Sequence, residues 1–264
     1  MHINSVMTQA ERRLWLIHYL KEEGGPLADA PVPPDTAGQR RLLRGLMNVR
    51  PPAPIGPEFL AVQDAYLQTA LCHKDVTDAA ALPLTPDRLG LWRGDITTLR
   101  VDAIVNAAND ALLGCFIPCH SCIDNAIHSA SGVQLRLACH DLMKQQGAPE
   151  PTGAAKITPG FNLPARYVVH TVGPIVQVPQ PTREDREALA ACYRACLTRA
   201  VEHGLASLAF CCISTGVFHF PNEPAAEIAV RTVRDFLKND HTLQRVIFNV
   251  FTERDETLYR LLLA

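Results

Sequence analysis

Three stretches near the start of the chain repeat apolar residues at helical spacing, and a different texture follows them. "TQAERRLWLIHYLKEE" opens at Thr8, a residue suited to cap a helix, and predicts the first helix. "GGPLADAPVPPDTAG" is rich in proline and glycine and reads as a linker. "QRRLLRGLMNVR" predicts a second short helix that Pro51 and Pro52 stop, and "PEFLAVQDAYLQTAL" a third. From about Leu89, short apolar runs alternate with longer amphipathic ones. "LGLWRGDI", "VDAIVNAAN", "AAKITPG", "ARYVVHTVG", "SLAFCCIS" and "RVIFNVF" predict strands. Between them, "CIDNAIHSASGVQLRLACHDLMKQ" predicts a helix with a break near Gly132. "REDREALAACYRACLTRAVEHG" predicts a helix closed by Gly204, "NEPAAEIAVRTVRDFLKN" one capped by Asn222, and "DETLYRLLL" the last.

This alternation predicts an α/β architecture, a mixed, mostly parallel sheet with helices on both faces. The expected division is a helical extension over residues 1–85 and an α/β domain over 86–264. Ligands of such folds sit outside the carboxyl ends of the strands. Three strand ends carry suitable residues: "RGDIT" (Arg93 to Thr97), "NAAND" (Asn106 to Asp110) and "STGVFHFP" (Ser214 to Pro221). Small residues leading into a helix offer backbone N–H groups to an anion, which makes Ser214, Thr215, Gly216 and Val217 a candidate phosphate cradle. Ser/Thr/Gly loops are common, so this signal alone is weak. Asn106 and Asn109 suit sugar hydroxyls, though asparagine at a strand end is ordinarily a turn former.

Composition narrows the classes. The chain has 264 residues, 47% hydrophobic and 20% charged, enough to bury a core, with a formal charge of -2. No basic field points to nucleic acid. The first residues lack the order of a signal peptide and no apolar run reaches membrane-span length, so a soluble, cytoplasmic and monomeric protein is expected. Nine cysteines favour metal or catalysis over disulfides in that compartment. Cys192 and Cys196, four apart on one helix, and Cys211 and Cys212, in an apolar run, read as small buried hydrophobes.

The remaining cluster is "GCFIPCHSCIDNAIH", from Gly114 to His128. Cys115, Cys119, His120 and Cys122 are soft or borderline ligands that suit tetrahedral zinc. If residues 119–122 are extended, His120 and Cys122 point to one side and Cys119 to the other, and the turn at Pro118 lets Cys115 fold back beside them. A Cys115–His120–Cys122 triad would leave an open, catalytic coordination position. Adding Cys119 would close the site and make it structural. A Cys119/Cys122 redox pair, or no metal, are the other readings. Asp124 follows in the first helical turn, where an acid is favoured by the helix dipole. His128 and His170 read as packed structural histidines.

Taken in order, "GDIT", "VDAIVNAAN", "IDNAIHSASG", "GFNLPARYVVHTVGP" and "STGVFHFP" resemble the successive signatures of the macrodomain over about residues 88–264. The resemblance implies a three-layer α/β/α fold that binds ADP-ribose. It implies that Asp95 accepts from the adenine amino group beside the Ile96 N–H, and that Asn109 contacts the distal ribose. Ser214, Thr215, Gly216, Val217 and Phe218 would wrap the diphosphate, and Phe251 would stack on adenine. His219 stands where a small residue is common. Catalytic members usually carry glycines where this chain has "GCFIPCHSC". The sequence is therefore similar to a narrower branch, zinc-containing macrodomains that remove ADP-ribose from proteins, linked to an ADP-ribosylating sirtuin and a lipoylated carrier protein. In that comparison Asp124 takes the place of the catalytic acid, with Asn109 beside the ribose, and Zn2+ is the cofactor. The expected activity is release of mono-ADP-ribose from acidic side chains of a modified protein. A non-catalytic ADP-ribose reader and an O-acetyl-ADP-ribose deacetylase are the alternatives.

Overall fold

A computed structural model describes residues 7–177 and 180–264. The extension forms the three expected helices, α1 (Gln9–Glu22), α2 (Thr36–Val49) and α3 (Pro57–Cys72). Thr8 caps α1 in a capping box with Glu11, and Asp35 caps α2. Their apolar faces meet in a small core of their own, with Leu16, Ile17, Phe59 and Val62 fully buried and Val133 joining from the main body.

Polar groups lock this unit onto the rest of the chain. Arg50 ends α2 in a two-pronged pair with Glu23, its Nε and Nη2 donating at 2.7 and 2.8 Å. Gln63, on α3 and fully buried, accepts from the Val133 N–H at 3.0 Å. It thereby caps the first turn of a helix that has no cap of its own, since Gly132 precedes it at φ 98°. A Cβ at Gly132 would stand 2.6 Å from Gln63 Nε2. The helical break expected at this glycine is real, and it is where the extension docks.

The main body is a six-stranded sheet between helices. Its strands are β2 (Leu89–Arg93), β4 (Ala103–Ala108), β5 (Ala155–Pro159), β6 (Tyr167–Val172), β7 (Ser207–Phe210) and β8 (Arg245–Val250). They lie in the order β2-β8-β7-β4-β6-β5, parallel throughout except for the antiparallel edge pair of β5 with β6. A separate short pair joins β1 (Thr77–Asp78) to β3 (Leu99–Arg100). Helices α4 (Ile123–Ser131) and α5 (Val133–Gln146) pack together, as do α6 (Arg183–Glu202), α7 (Asn222–Leu237) and α8 (Glu253–Leu263), and α2 rests on α4. The core of this body reaches back to Ala79, ahead of the expected 85/86 boundary. No helix among the described residues is long and apolar enough to cross a membrane.

Two local expectations need amendment. Asn222 is the first residue of α7 and does not cap it; its side chain donates to Asp255 Oδ1 at 2.6 Å instead, and Pro221 holds the cap position. Cys192, Cys196 and Cys211 are buried as expected, but Cys212 is only half-buried. Because β2, β4, β7 and β8 run in one direction, the loops at Asp95, Asn109, Ser214 and Phe251 gather at one edge of the sheet.

His170 ties three strands together beneath that edge. Its Nε2 lies 2.8 Å from Thr158 Oγ1 on β5, and its Nδ1 3.2 Å from Asn106 Nδ2 on β4. An amide nitrogen can only donate, so Nδ1 accepts and Nε2 carries the proton. Complete burial pushes the His170 pKa down to about 3. The unfolded chain therefore binds a proton that the native state refuses. The stability this neutral ring contributes is whole above pH 6.5 and is lost as pH falls towards 3, by up to about 1.4 kcal/mol per pH unit. Denaturant midpoints measured from pH 7 to pH 4 are expected to fall with that sign, and His170→Gln to flatten the slope.

Candidate functional site

An open cleft of about 690 Å³ runs along the carboxyl edge of the sheet. At one end Asp95 and Ile96 form its wall, with Phe251 beside them, 79% exposed. Asp95 starts a tight turn, its Oδ1 accepting from the Thr97 N–H and hydroxyl at 3.0 and 2.6 Å. Burial pushes the Asp95 carboxyl up, but the Thr97 bonds and the Lys74 ammonium at 3.3 Å outweigh it and hold the group below the usual carboxylate range. A charged acceptor is thus fixed at this end.

The middle of the cleft is the loop from Ser214 to His219. Ser214 and His219 both adopt left-handed backbone, at φ 64° and 58°. The loop closes on itself through Phe220 N–H to Ser214 O and His219 N–H to Gly216 O, both at 3.0 Å. The N–H groups of Gly216, Val217 and Phe218 have no acceptor among the described residues, and α7 begins immediately beyond. Free amides and a helix N-terminus together make an anion cradle. Gly173 makes room for it. A Cβ there would meet Ser214 Oγ at 2.0 Å.

The far end is the cysteine–histidine loop. The ligand atoms of Cys115, His120 and Cys122 lie within 4.8 Å of one another. Cys115 Sγ and His120 Nδ1 are 3.6 Å apart, which is the separation that tetrahedral bonds of about 2.3 and 2.0–2.1 Å to one zinc would give. Two thiols and an imidazole are the donor set zinc takes, so the residues present fit that ion. Cys119 is not in the group; its thiol is 3.2 Å from the Arg41 carbonyl. Cys122 caps α4, its Sγ accepting from the Asn125 N–H at 3.4 Å. Burial and the neighbouring Cys115 and Asp124 push the Cys122 thiol up to about 11 against that amide.

This loop has no regular structure, and two arginines fix it. Arg136, buried on α5, donates to Leu113 O at 2.6 Å, to Met47 O at 3.1 Å and to Arg50 O, while its guanidinium lies 4.2 Å over the Phe116 ring. Arg44, on α2, donates to His120 O and to Asn125 Oδ1 and itself lines the cleft. Neither has a local sequence signal, since both contacts span tens of residues.

Three expected residues do not line the cleft: Cys115, Asn109 and Asp124. Asn109 spends its side chain on the turn, donating to Gly114 O at 3.2 Å and accepting from the Ala111 N–H at 3.1 Å, so in this conformation it shapes the approach to Cys115. Asp124 lies behind the wall, 5% exposed, accepting from Asn106 Nδ2 at 2.8 Å. Burial pushes its carboxyl up to about 6, against the Asn106 bond and the Arg136 charge. His128 Nε2 is 3.5 Å from Asp124, but burial, with His170 and Arg136, lowers the His128 pKa far enough to keep the ring neutral, so this is no ion pair. A second buried group, His128, Cys139 and His170, has metal-ligand spacing. The protonated Nε2 that His170 turns towards Thr158 and Cys139 has no lone pair to give, which argues against an ion there.

The family model described as "Macro domain" matches residues 105–229. The chain is 53% identical over 262 residues to a protein-ADP-ribose hydrolase of Treponema medium, covering 98% of this chain and all of that one. The chain belongs to the macrodomain family. Among solved structures, a Trypanosoma brucei macrodomain in complex with ADP-ribose superposes with a TM-score of 0.64 at 33% identity, covering 80% of this macrodomain and 92% of that chain. A probable bifunctional ADP-ribose hydrolase/ADP-ribosyltransferase of Fusarium oxysporum f. sp. cubense is 43% identical over 249 residues, which cover 87% of this chain and 42% of that longer one.

Thiol burial in this macrodomain gives an ordering that alkylation can read. Cys72 is exposed and should react first, whereas Cys139, Cys192, Cys196 and Cys211, buried and with thiols pushed up by burial, should stay unmodified until denaturant unfolds the chain. Mass spectrometry after timed alkylation at neutral pH checks the order, and early modification of Cys196 would contradict it.

Proposed function

We propose that this macrodomain is a zinc-dependent hydrolase that releases mono-ADP-ribose from acidic side chains of modified proteins. The observation that carries the reading is the meeting of Cys115, His120 and Cys122 at one end of a cleft whose other walls suit ADP-ribose. The name of the Treponema relative supports the hydrolase activity, and the ADP-ribose complex of the Trypanosoma macrodomain supports the ligand. The name of the Fusarium relative joins a hydrolase to an ADP-ribosyltransferase, which supports a partner transferase here; that this partner is a sirtuin acting on a lipoylated carrier protein rests on the sequence resemblance alone.

On this reading each part of the cleft has a chemical task. Asp95 accepts from the exocyclic amine of adenine beside the Ile96 N–H, and Phe251 offers a ring to the base. Ser214, Thr215, Gly216, Val217 and Phe218 hold the diphosphate and so fix where the anomeric carbon lies. Cys115, His120 and Cys122 would hold the zinc. Zinc bound there supplies a Lewis acid that lowers the pKa of a water or grips a ribose hydroxyl. Asp124, two residues past Cys122 in the first turn of α4, would orient the attacking water or take its proton, and Asn109 keeps the loop that delivers Cys115.

Binding and chemistry are therefore separable. Cys122→Ala should lose turnover of an ADP-ribosylated protein by at least about 100-fold while still binding ADP-ribose in calorimetry. Asp124→Asn should lower turnover by about 100-fold or more with binding kept. Gly173→Ala, which drives a Cβ into Ser214, should do the reverse and weaken ADP-ribose binding about tenfold or more. Metal-free protein that retains full turnover would overturn the zinc step. ADP-ribose binding without any release would leave a reader, and release only from O-acetyl-ADP-ribose would leave a deacetylase.

A further inference from the structure

Four soft ligands lie between residues 115 and 122, and three converge. The fourth is held by the N-terminal extension. The Cys119 N–H donates to Asn48 Oδ1 at 2.9 Å, and its thiol donates to the Arg41 carbonyl at 3.2 Å; both acceptors lie on α2. Asn48 is 1% exposed and is itself anchored, Nδ2 donating to Ser129 Oγ at 2.9 Å on α4. One turn earlier on α2, Arg44 grips the neighbouring carbonyl of His120 at 2.9 Å. Cys119 sits at φ 55°, a region that a residue with a Cβ enters only when its surroundings impose it. The turn that His120 N–H closes on Ile117 O at 3.2 Å, with Pro118 at its second position, sets that backbone, and the two bonds from α2 fix where the thiol goes.

We propose that α2 is a ligand selector: Asn48 and the Arg41 carbonyl hold Cys119 out of the metal's shell and keep the fourth coordination position for substrate. The inference rests on the reading of Cys115, His120 and Cys122 as zinc ligands. Released from α2, the Cys119 side chain is free to swing its thiol towards its neighbours. Joining the ion, it gives its proton to solvent and completes a three-cysteine, one-histidine shell, the closed arrangement of structural zinc. Such a site holds metal more firmly and has no position left for a water or a ribose hydroxyl. The extension, remote in sequence, thus decides whether the cluster is catalytic or structural.

The test uses the full chain loaded with Co2+, whose thiolate charge-transfer absorbance scales with the number of bound cysteines. Wild-type protein should show two thiolates. Asn48→Ala should show three, resist a competing chelator at least about tenfold better, and lose turnover at least about tenfold. The double variant Asn48→Ala with Cys119→Ser should return to the two-thiolate spectrum and recover turnover. Cys119→Ser alone, which does not depend on the fold of the Asn48 variant, should keep the wild-type spectrum and activity. A fall in its absorbance from three thiolates to two would overturn the selector while leaving the zinc reading in place, as would an Asn48→Ala spectrum unchanged from wild type. A wild-type chain that takes up neither cobalt nor zinc would overturn both.

Discussion

The site depends on holding an irregular loop still. Residues 109–122 contain no helix or strand, yet they must bring two thiols and an imidazole within 4.8 Å of each other. A loop of that length cannot satisfy its own backbone, so its carbonyls need donors from elsewhere. Arg136 takes the Leu113 carbonyl and stacks on Phe116, Arg44 takes the His120 carbonyl, and Asn125 reaches Ile117 O at 3.0 Å. Arginine suits this task because one planar group can meet several carbonyls at once, and Arg136 meets carbonyls of both α2 and the loop. The extension, α5 and the ligand loop are therefore one hydrogen-bonded assembly.

The rest of the cleft follows from strand direction. With β2, β4, β7 and β8 parallel, four loops far apart in sequence reach the same edge. Each supplies one kind of contact: a carboxylate at Asp95, free amides at Gly216 to Phe218, an imidazole and a thiol at His120 and Cys122, an aromatic ring at Phe251. Close approach is allowed where side chains are missing, as at Gly173, whose bare Cα admits Ser214 in its left-handed conformation. Beneath the edge, Asn106 divides its amide between Asp124 and His170, so the polar groups that stiffen the sheet also set the protonation of the acid behind the cleft.

Much of this was legible in the chain. Short apolar runs located the strands of the main sheet, whose central members are buried on both faces, and helical spacing located the α-helices. The exclusion of Cys119 from the cluster was expected from extended backbone, but Cys119 sits in a turn at φ 55° and its thiol is taken by the Arg41 carbonyl. One misreading is instructive. Asn222 looked like a helix cap, but an asparagine's partner is chosen by what lies nearest in space, and here that neighbour was Asp255. Lys74 facing Asp95, Arg44 and Asn48 carried no local signal at all.

By itself the sequence determined the α/β architecture, the edge of the sheet where the cleft opens, and which residue types gather there. Those properties depend on periodicity and residue type, which are local. Only the tertiary structure decided that Cys119 is captured by α2, that Asp124 lies behind the cleft wall, and that the N-terminal helices share in building the site. Each of these is a contest among hydrogen-bond partners distant along the chain, and folding alone brings the competitors within reach.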